Sequence, residues 1–188
     1  MRFLAPSFPL LTLCVWGGCP EPPADVANPK SHASGPCTFN YPQNWEITDD
    51  EFAADFHYVF VETPGDAIVI LQSYPLDQEE DLAGYAEVFS ANAAAETPIG
   101  EMSESVFSER STAHGYNWVV EELAISFLGE TIPHRRVYGG REFGGRQVFL
   151  ILQVATEDYA MIEPGFHLIR DSLDGPAQPE TEQIDRDD

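Results

Sequence analysis

Positive charge is scarce in this chain of 188 residues. Nine lysines and arginines stand against 32 aspartates and glutamates, so the formal net charge is −23, and the single lysine is Lys30. A surface this acidic repels phosphate backbones wherever salt does not screen it. The composition therefore predicts that the protein does not bind nucleic acid.

Catalytic and metal-binding motifs are also missing. The five histidines do not form an HExxH or HxH pattern, which would set two zinc ligands on one helix or strand face. No serine lies in a GxSxG elbow, and Cys37 has no histidine beside it in the sequence. These absences predict a protein that is not an enzyme and that holds no metal or cofactor. A hydrolytic site assembled from residues distant in sequence is the alternative.

The apolar stretch at the N-terminus is too short for a permanent transmembrane helix. Arg2 precedes the mostly apolar residues 3–16, and Gly17 and Gly18 lead into Cys19. A positive start, an apolar middle and a small-residue end are typical of an export signal. The ending resembles the lipobox of bacterial lipoproteins, which implies that Cys19 is lipidated and anchors the mature protein to a membrane. A secretory signal cleaved near Gly18 and an uncleaved apolar tail are the alternatives.

The three cysteines have different predicted fates. If Cys19 carries lipid and Cys14 leaves with the signal, Cys37 remains as a free thiol. If Cys19 is not lipidated, a disulfide between Cys19 and Cys37 can form in an oxidising compartment. The lipid-anchored protein is predicted to lie in the cell envelope, on its periplasmic or extracellular face.

Composition divides the rest of the chain into three parts. Residues 20–37 are rich in proline and have almost nothing to bury, which predicts a tether. Residues 174–188 are rich in proline, glutamate and aspartate, which predicts a disordered tail. The stretch 38–173 holds the strand and helix patterns and is long enough for one hydrophobic core. It is predicted to fold as a single domain.

Strand patterns outnumber helical ones inside this domain. The turn sequence Thr63–Asp66 predicts an antiparallel hairpin between two strands. Apolar residues from Leu82 to Ala93 repeat with helical spacing, with Asp77 and Glu80 as a capping box, and Pro164 lies near the first turn of a closing helix. Two strands are apolar on both sides, so each face of the sheet needs cover. The predicted class is α+β, a mostly antiparallel sheet sandwiched between helices. The predicted strands are 38–41, 45–48, 56–61, 67–74, 102–108, 116–127, 131–138 and 147–155, and the closing helix is 164–173.

Four arginines lie within twelve positions, around a predicted turn at Gly139–Gly140. In so acidic a chain, this hairpin is the place predicted to attract an anionic partner or a lipid head group. The alternative is that the arginines pair with neighbouring carboxylates across the sheet. The four residues are Arg135, Arg136, Arg141 and Arg146.

Two short motifs resemble the beginning and the end of PsbP-like domains, a group that includes the periplasmic lipoprotein DcrB. Residues Phe39–Trp45 resemble the apolar-x-aromatic-Pro-x-Gly/Asn-Trp signature that begins the sheet. Residues Phe166–Leu173 resemble the last helix, which closes with a serine and a large apolar residue. The resemblance implies an α-β-α sandwich used for binding or chaperoning rather than for catalysis. Activities within this group differ so widely that the fold does not select one.

Taken together, these features predict a non-enzymatic envelope lipoprotein that binds or chaperones a partner. The predicted partners are a membrane, through the lipid anchor, and an unidentified protein or peptide. Two alternatives stay open. One is an envelope hydrolase whose site is not visible in the sequence. The other is a chaperone of secreted effectors, which requires that residues 1–19 are not a signal.

Overall fold

The protein is described here by a computed structural model. The predicted signal with Cys19 and the proposed capping box at Asp77 and Glu80 lie outside the residues that the structure describes. Within those residues, neither helix is both long and apolar enough to cross a bilayer. The described ranges are 22–35, 37–53, 56–76, 81–96, 100–113 and 115–175.

Ten strands and two helices form within the described ranges. Eight strands make one sheet in the order β3-β4-β5-β10-β9-β8, with both β6 and β7 paired to β8, and β1 pairs with β2 in a separate ribbon. Every pairing is antiparallel. The predicted α+β class with a mostly antiparallel sheet is therefore confirmed. The elements are β1 (Lys30–Ser34), β2 (Cys37–Tyr41), β3 (Glu46–Ala53), β4 (Phe56–Glu62), β5 (Ile68–Pro75), α1 (Leu82–Glu96), β6 (Glu101–Met102), β7 (Val106–Ala113), β8 (Tyr116–Phe127), β9 (Glu130–Phe143), β10 (Arg146–Ala155) and α2 (Tyr159–Ser172).

The hairpin between β4 and β5 forms as predicted. Its strands pair from His57 opposite Ser73 to Glu62 opposite Ile68. The turn closes because Ala67 O accepts bonds from the backbone N of Thr63 at 3.3 Å and from its Oγ1 at 2.9 Å. A threonine hydroxyl that bonds nearby backbone favours turns in this way.

The predicted turn at Gly139–Gly140 is wrong. Both glycines lie inside β9, where Gly139 pairs with Trp118 on one side and Leu150 on the other. A Cβ at Gly139 would lie 2.6 Å from the Trp118 ring, so glycine is needed there for a close approach rather than for a turn. The β9–β10 turn falls instead at Gly144–Gly145, whose φ angles of +58° and +74° suit glycine.

Alternate residues of the central strands enter two separate hydrophobic clusters. Leu71 of β5 belongs to a cluster that contains Phe166 of α2. Ile70 of β5 and Phe149 of β10 belong to a second cluster that contains Tyr85 of α1. We call the two sides of the sheet the α2 face and the α1 face. Strands with core residues on both faces explain the unbroken apolar runs in the sequence.

The predicted tether at 20–37 is wrong for the residues that the structure describes there. Lys30–Ser34 forms β1, which pairs with β2 along its whole length. Upstream of it, Ala24 N donates to Met161 O at 3.1 Å, and Asp25 O accepts from Gln43 N at 2.9 Å. The segment binds the domain mainly through its backbone, so its side chains show no apolar periodicity from which a strand could be predicted.

Two further boundaries differ from the prediction at the C-terminal end. The closing helix begins at Tyr159 rather than near Pro164, because the Asp158 carbonyl already accepts bonds from Met161 N and Ile162 N. The folded part also extends past its predicted end, since Asp174 exchanges two backbone bonds of 2.9 Å with Thr38. The predicted tail from residue 176 onward lies outside the described ranges.

Candidate binding face

The four arginines predicted to form one positive hairpin contact different parts of the fold. Consecutive strand residues point to opposite faces, so Arg135 and Arg136 of β9 are separated. Arg135 lies over the ring of Tyr159 at the start of α2 and bonds Glu122 Oε1 at 2.8 Å through Nη2. Arg136 lies over the ring of Phe89 in α1.

Arg136 belongs to a buried polar network under α1. It is 1% exposed, and its Nη1 lies 3.2 Å from Oε2 of Glu121, which is fully buried. Ser90 and Tyr138 each donate to the Glu121 carboxylate at 2.5 Å, and Ser105 donates to it as well. A buried carboxylate with this many donors is fully satisfied. The network therefore joins α1, β8 and β9 and leaves no free charge for a ligand.

Arg141 and Arg146 also contact neighbouring parts of the fold. Arg141 Nη2 donates to the carbonyl of Leu173 at 3.0 Å. Arg146 donates to Ser73 twice, from Nε to Oγ at 3.1 Å and from Nη2 to the carbonyl at 2.9 Å. Arg135 and Arg136 pair with carboxylates across the sheet, as the alternative interpretation of the arginine cluster predicts. An anion-binding role for the four arginines stays an untested prediction.

Two histidines and an aspartate meet at the edge of the α2 face. Nε2 of the fully buried His57 lies 2.9 Å from Asp50 Oδ1, and Nε2 of His32 lies 3.1 Å from Asp50 Oδ2. Burial raises the pKa of Asp50, but the hydrogen bonds from His57 and Ser34 and the charge of both imidazoles outweigh it, and the pKa lies below its ordinary 3.8. Nδ1 of His57 has no hydrogen-bond partner within the described ranges.

Near this group the chain offers a poor nucleophile. Cys37 is fully buried in the cluster with α2, and burial raises the pKa of its thiol to about 11, against the opposing charges of Arg146 and Arg141. A thiol with so high a pKa stays protonated and unreactive near neutral pH. Among the described residues, no group of three histidine, cysteine or acidic side chains is arranged to hold a metal ion.

The α1 face holds a surface of a different kind, which α1 leaves partly uncovered. On β4, Phe56, Tyr58 and Phe60 point to this face and are only half-buried, as are Ile68 and Tyr74 of β5. We call these five residues the open aromatic face. The alternation of three aromatic residues at every second position of β4 is visible in the sequence, but its exposure is not.

The rings of the open aromatic face contact one another in a continuous row. Ring centroids lie 6.2 Å apart for Phe56 and Tyr58, 6.3 Å for Tyr58 and Phe60, and 5.2 Å for Phe56 and Tyr74. Such tilted and stacked aromatic pairs hold each other in place. The face is therefore preorganised for contact with a partner.

A polar link holds this face against α1. Gln72 Oε1 accepts from the hydroxyl of Tyr74 at 2.9 Å and from that of Tyr85 at 2.6 Å. Tyr85 in turn stacks on Phe149 with ring centroids 3.7 Å apart. The helix thus covers the sheet next to Phe149 and forms one wall beside the open aromatic face.

Carboxylates form the opposite border of the face. Glu51 and Asp49 of β3 lie directly opposite Tyr58 and Phe60 in the strand pairing, so they share the α1 face with them. Burial, followed by the charges of Asp49 and Glu51, raises the pKa of the Tyr58 hydroxyl well above its ordinary 10. Glu62, at the end of β4, adds a third exposed carboxylate. We call Asp49, Glu51 and Glu62 the acidic rim.

Known proteins resemble this chain in structure but not in sequence. No protein-family model matches the chain, and no curated protein sequence matches it. Cyanobacterial PsbP (CyanoP) from Synechocystis sp. PCC 6803 does match in structure, with a TM-score of 0.52 over 88% of this chain and 99% of that one, at 15% identity. The chain therefore has a PsbP-like fold, as its two motifs predict.

Two further solved structures are similar more loosely. LpqN of Mycobacterium tuberculosis, a protein involved in cell envelope biogenesis, is 14% identical, with a TM-score of 0.42 over 83% of this chain and 99% of its own. The protein PA94 of Pseudomonas aeruginosa is 15% identical, with a TM-score of 0.38 over 80% of this chain and 98% of its own.

Proposed function

We propose that this chain is a non-enzymatic binding module of the cell envelope. In this proposal a lipid on Cys19 holds the protein to a membrane, and the folded domain binds a protein or peptide partner through the open aromatic face. The export signal and the lipobox-like ending support the location. The PsbP-like fold is compatible with a binding role but does not select a partner.

The observation that carries the proposal is the row of half-buried aromatic rings on β4. Phe56, Tyr58 and Phe60 alternate with His57, Val59 and Val61, which are at most 1% exposed. Aromatic residues are enriched where proteins bind one another, because a rigid ring buries a large area at a small cost in conformational entropy. A partner that covered the open aromatic face would complete the burial that α1 leaves unfinished.

The proposal includes a three-layer arrangement, with one helix on each face of the sheet. Its support is the separation of the two hydrophobic clusters, one with Tyr85 of α1 and the other with Phe166 of α2. In such an arrangement a short helix covers only part of a wide sheet. The uncovered part is then available to a partner without any rearrangement of the core.

A binding role rather than a catalytic one is also supported by the chemistry of the polar groups. The thiol of Cys37 is buried and stays protonated, and the Glu121 carboxylate is satisfied by its own donors. The partly exposed Asp50 already contacts two imidazoles. None of these groups is free to act on a substrate in this arrangement.

Site-specific photo-crosslinking in the host cell tests the binding face. A photoreactive phenylalanine analogue at position 60 should crosslink one reproducible partner. The same analogue at position 128 is the control, because Leu128 is 84% exposed in the β8–β9 turn, far more than Phe60. Equal crosslinking at both positions, or none at position 60, would contradict a role for the open aromatic face.

Cell fractionation tests the anchor separately. The wild-type protein should sediment with membranes, and its mature N-terminal peptide should carry the mass of a lipidated cysteine. The Cys19→Ser variant should lose both properties, since the sulfur is the attachment point. A soluble, full-length and unmodified wild-type chain would contradict export and anchoring while leaving the fold unaffected.

A further inference from the structure

The acidic rim has no partner of opposite charge within the described part of the chain. Asp49, Glu51 and Glu62 are exposed, and none of them takes part in a described ion pair. Asp50, between two of them, points to the opposite face and contacts His32 and His57. On strand β3, the Asp50 carboxylate on the α2 face is therefore paired, whereas the Asp49 and Glu51 carboxylates on the α1 face are not.

The basic side chains whose contacts are described bind elsewhere in the fold. They bond to backbone carbonyls, to hydroxyls or to other carboxylates, and none of these bonds reaches the acidic rim. None of these six side chains therefore supplies a cation to the rim, and an external ligand can do so. The contacts are Lys30 to the Trp45 carbonyl, Arg135 to Glu122, Arg136 to Glu121, Arg141 to the Leu173 carbonyl, Arg146 to Ser73 and Arg170 to Asp171.

The rings beside the rim favour the same type of ligand. A cation over the face of a tyrosine or phenylalanine ring is attracted by the ring quadrupole. Tyr58 and Phe60 lie directly opposite Glu51 and Asp49 in the strand pairing. A lysine or arginine side chain bound there would meet a ring on one side and a carboxylate on the other.

The spacing of the rings indicates the conformation of the ligand. Ring centroids along β4 lie 6.2 Å and 6.3 Å apart. Alternate side chains of an extended peptide repeat at about the same distance, roughly 6.5 to 7 Å. An extended segment that lies along β4 can therefore place every second side chain over the row of rings.

We propose that the ligand of the open aromatic face is an extended peptide segment with lysine or arginine at alternate positions. The cations lie over Tyr58 and Phe60 and against Asp49 and Glu51. This inference rests on the proposed function and names the chemistry of its partner. A second copy of the chain, with a net charge of −23, and an anionic phosphate surface are both repelled by the rim.

Fluorescence anisotropy with defined peptides tests the inference on the full chain. The probe is a labelled peptide of repeated Lys-Ser dipeptides, measured at physiological salt. Its two controls are a repeat of Glu-Ser dipeptides and a block peptide with all lysines before all serines. The alternating basic peptide should bind most tightly, and the acidic peptide should not bind.

A matched pair of variants separates the face from general charge attraction. The double variant Asp49→Asn with Glu51→Gln should bind the alternating peptide about tenfold more weakly, because two exposed charge contacts are lost. Glu101→Gln with Glu104→Gln removes the same charge from exposed positions at the β6 side of the sheet. It should change the affinity by less than about twofold because salt screens distant charges.

The Tyr58 ring supplies a second, independent measurement. Tyr58→Leu should weaken binding of the alternating peptide by about threefold, whereas Tyr58→Phe should keep it, since a phenylalanine ring retains the quadrupole. Circular dichroism and a thermal melt of each variant check that the fold is retained.

Several outcomes overturn the inference. They are absence of binding by the alternating peptide, equal binding of the block peptide, or equal losses from the rim variant and its control. Crosslinking from position 60 distinguishes this failure from that of the proposed function. A neutral or acidic partner captured there would leave the role of the open aromatic face intact and contradict only the basic ligand.

Discussion

Strand β4 shows two different environments on its two sides. On the α2 face, His57, Val59 and Val61 are at most 1% exposed. On the α1 face, Phe56 and its two aromatic neighbours on β4 are half-buried. The same strand is thus core on one side and accessible surface on the other. Hydrophobicity alone does not distinguish the two sides, because both are apolar.

In the three-layer arrangement proposed above, the difference between the two faces comes from the elements that cover them. The α2 face receives α2 and also residues of the β1–β2 ribbon, including Cys37 and Phe39. The α1 face receives α1, whose Tyr85 and Ala86 pack beside Phe149. One helix does not extend across eight strands, so the part of the face on β4 remains accessible. Four stability measurements test this comparison.

The largest loss of stability is expected in the covered part of the α1 face. Glu121→Ala should lower the free energy of unfolding by about 3–5 kcal/mol, because it leaves the buried Arg136 guanidinium without its carboxylate. Glu122→Ala is the control on the next residue. Its partner Arg135 is 29% exposed, so the expected loss is about 0–1 kcal/mol. Similar values from urea denaturation of both variants would contradict a rigid, buried network under α1.

A second pair of variants compares the two faces on a single strand. Leu71→Ala empties a site that is 1% exposed on the α2 face, and the expected loss is about 2–5 kcal/mol. Ile68→Ala acts on the half-buried open aromatic face, where less apolar area is lost, and about 1 kcal/mol is expected. Equal losses in denaturant titrations would show that the α1 face is as closed as the α2 face.

A third variant tests the close packing of β9 against the ring of Trp118. Gly139→Ala should cost about 1–3 kcal/mol, because the new Cβ would lie 2.6 Å from that ring. Gly140→Ala is the neighbouring control. Its Cβ would lie 3.2 Å from Leu82 Cδ1, the end of a side chain that can move. A neutral Gly139→Ala in thermal melts would mean that the ring is not held against β9.

The smallest expected effect concerns the polar edge of the α2 face. The folded pKa of Asp50 lies below its ordinary 3.8. Its carboxylate therefore adds stability above pH 3.8, which is lost as the pH falls below that value through the folded pKa. Asp50→Asn should cost about 1 kcal/mol at neutral pH. Urea midpoints between pH 2 and 6 should then fall less steeply with acid in this variant than in the wild type. Parallel curves of urea midpoint against pH for the variant and the wild type would show that the contacts with His32 and His57 do not lower the pKa of Asp50.

Many of the elements were predictable from local patterns. Strands β2, β4, β5, β8 and β10 lie within one or two residues of their predicted ranges, and helix α1 contains the whole predicted periodic stretch from Leu82 to Ala93. Their signals are short-range: alternating or unbroken apolar residues and turn sequences between them. Strand β1 had no such signal, because its residues Lys30–Ser34 are polar or small and pair mainly through the backbone.

The contacts between polar side chains depended on long-range pairing instead. His32, Asp50 and His57 come from three different strands, and nothing in their spacing brings them together. The predicted arginine cluster was separated for the same reason. Adjacent residues on β9 face opposite sides, and Gly139 lies within the strand. Proximity in sequence is therefore a poor guide to proximity on a sheet.

The sequence by itself determined the acidic character, the export-signal pattern, the α+β class and the strands with two apolar sides. Those properties follow from composition and from local periodicity. Only the tertiary structure decided which of the two apolar sides is accessible, and which carboxylates are paired. Both the covering of a face and the pairing of a carboxylate depend on residues that are distant in the chain. Tyr85 packs on Phe149, and His32 contacts Asp50, only after the sheet has formed.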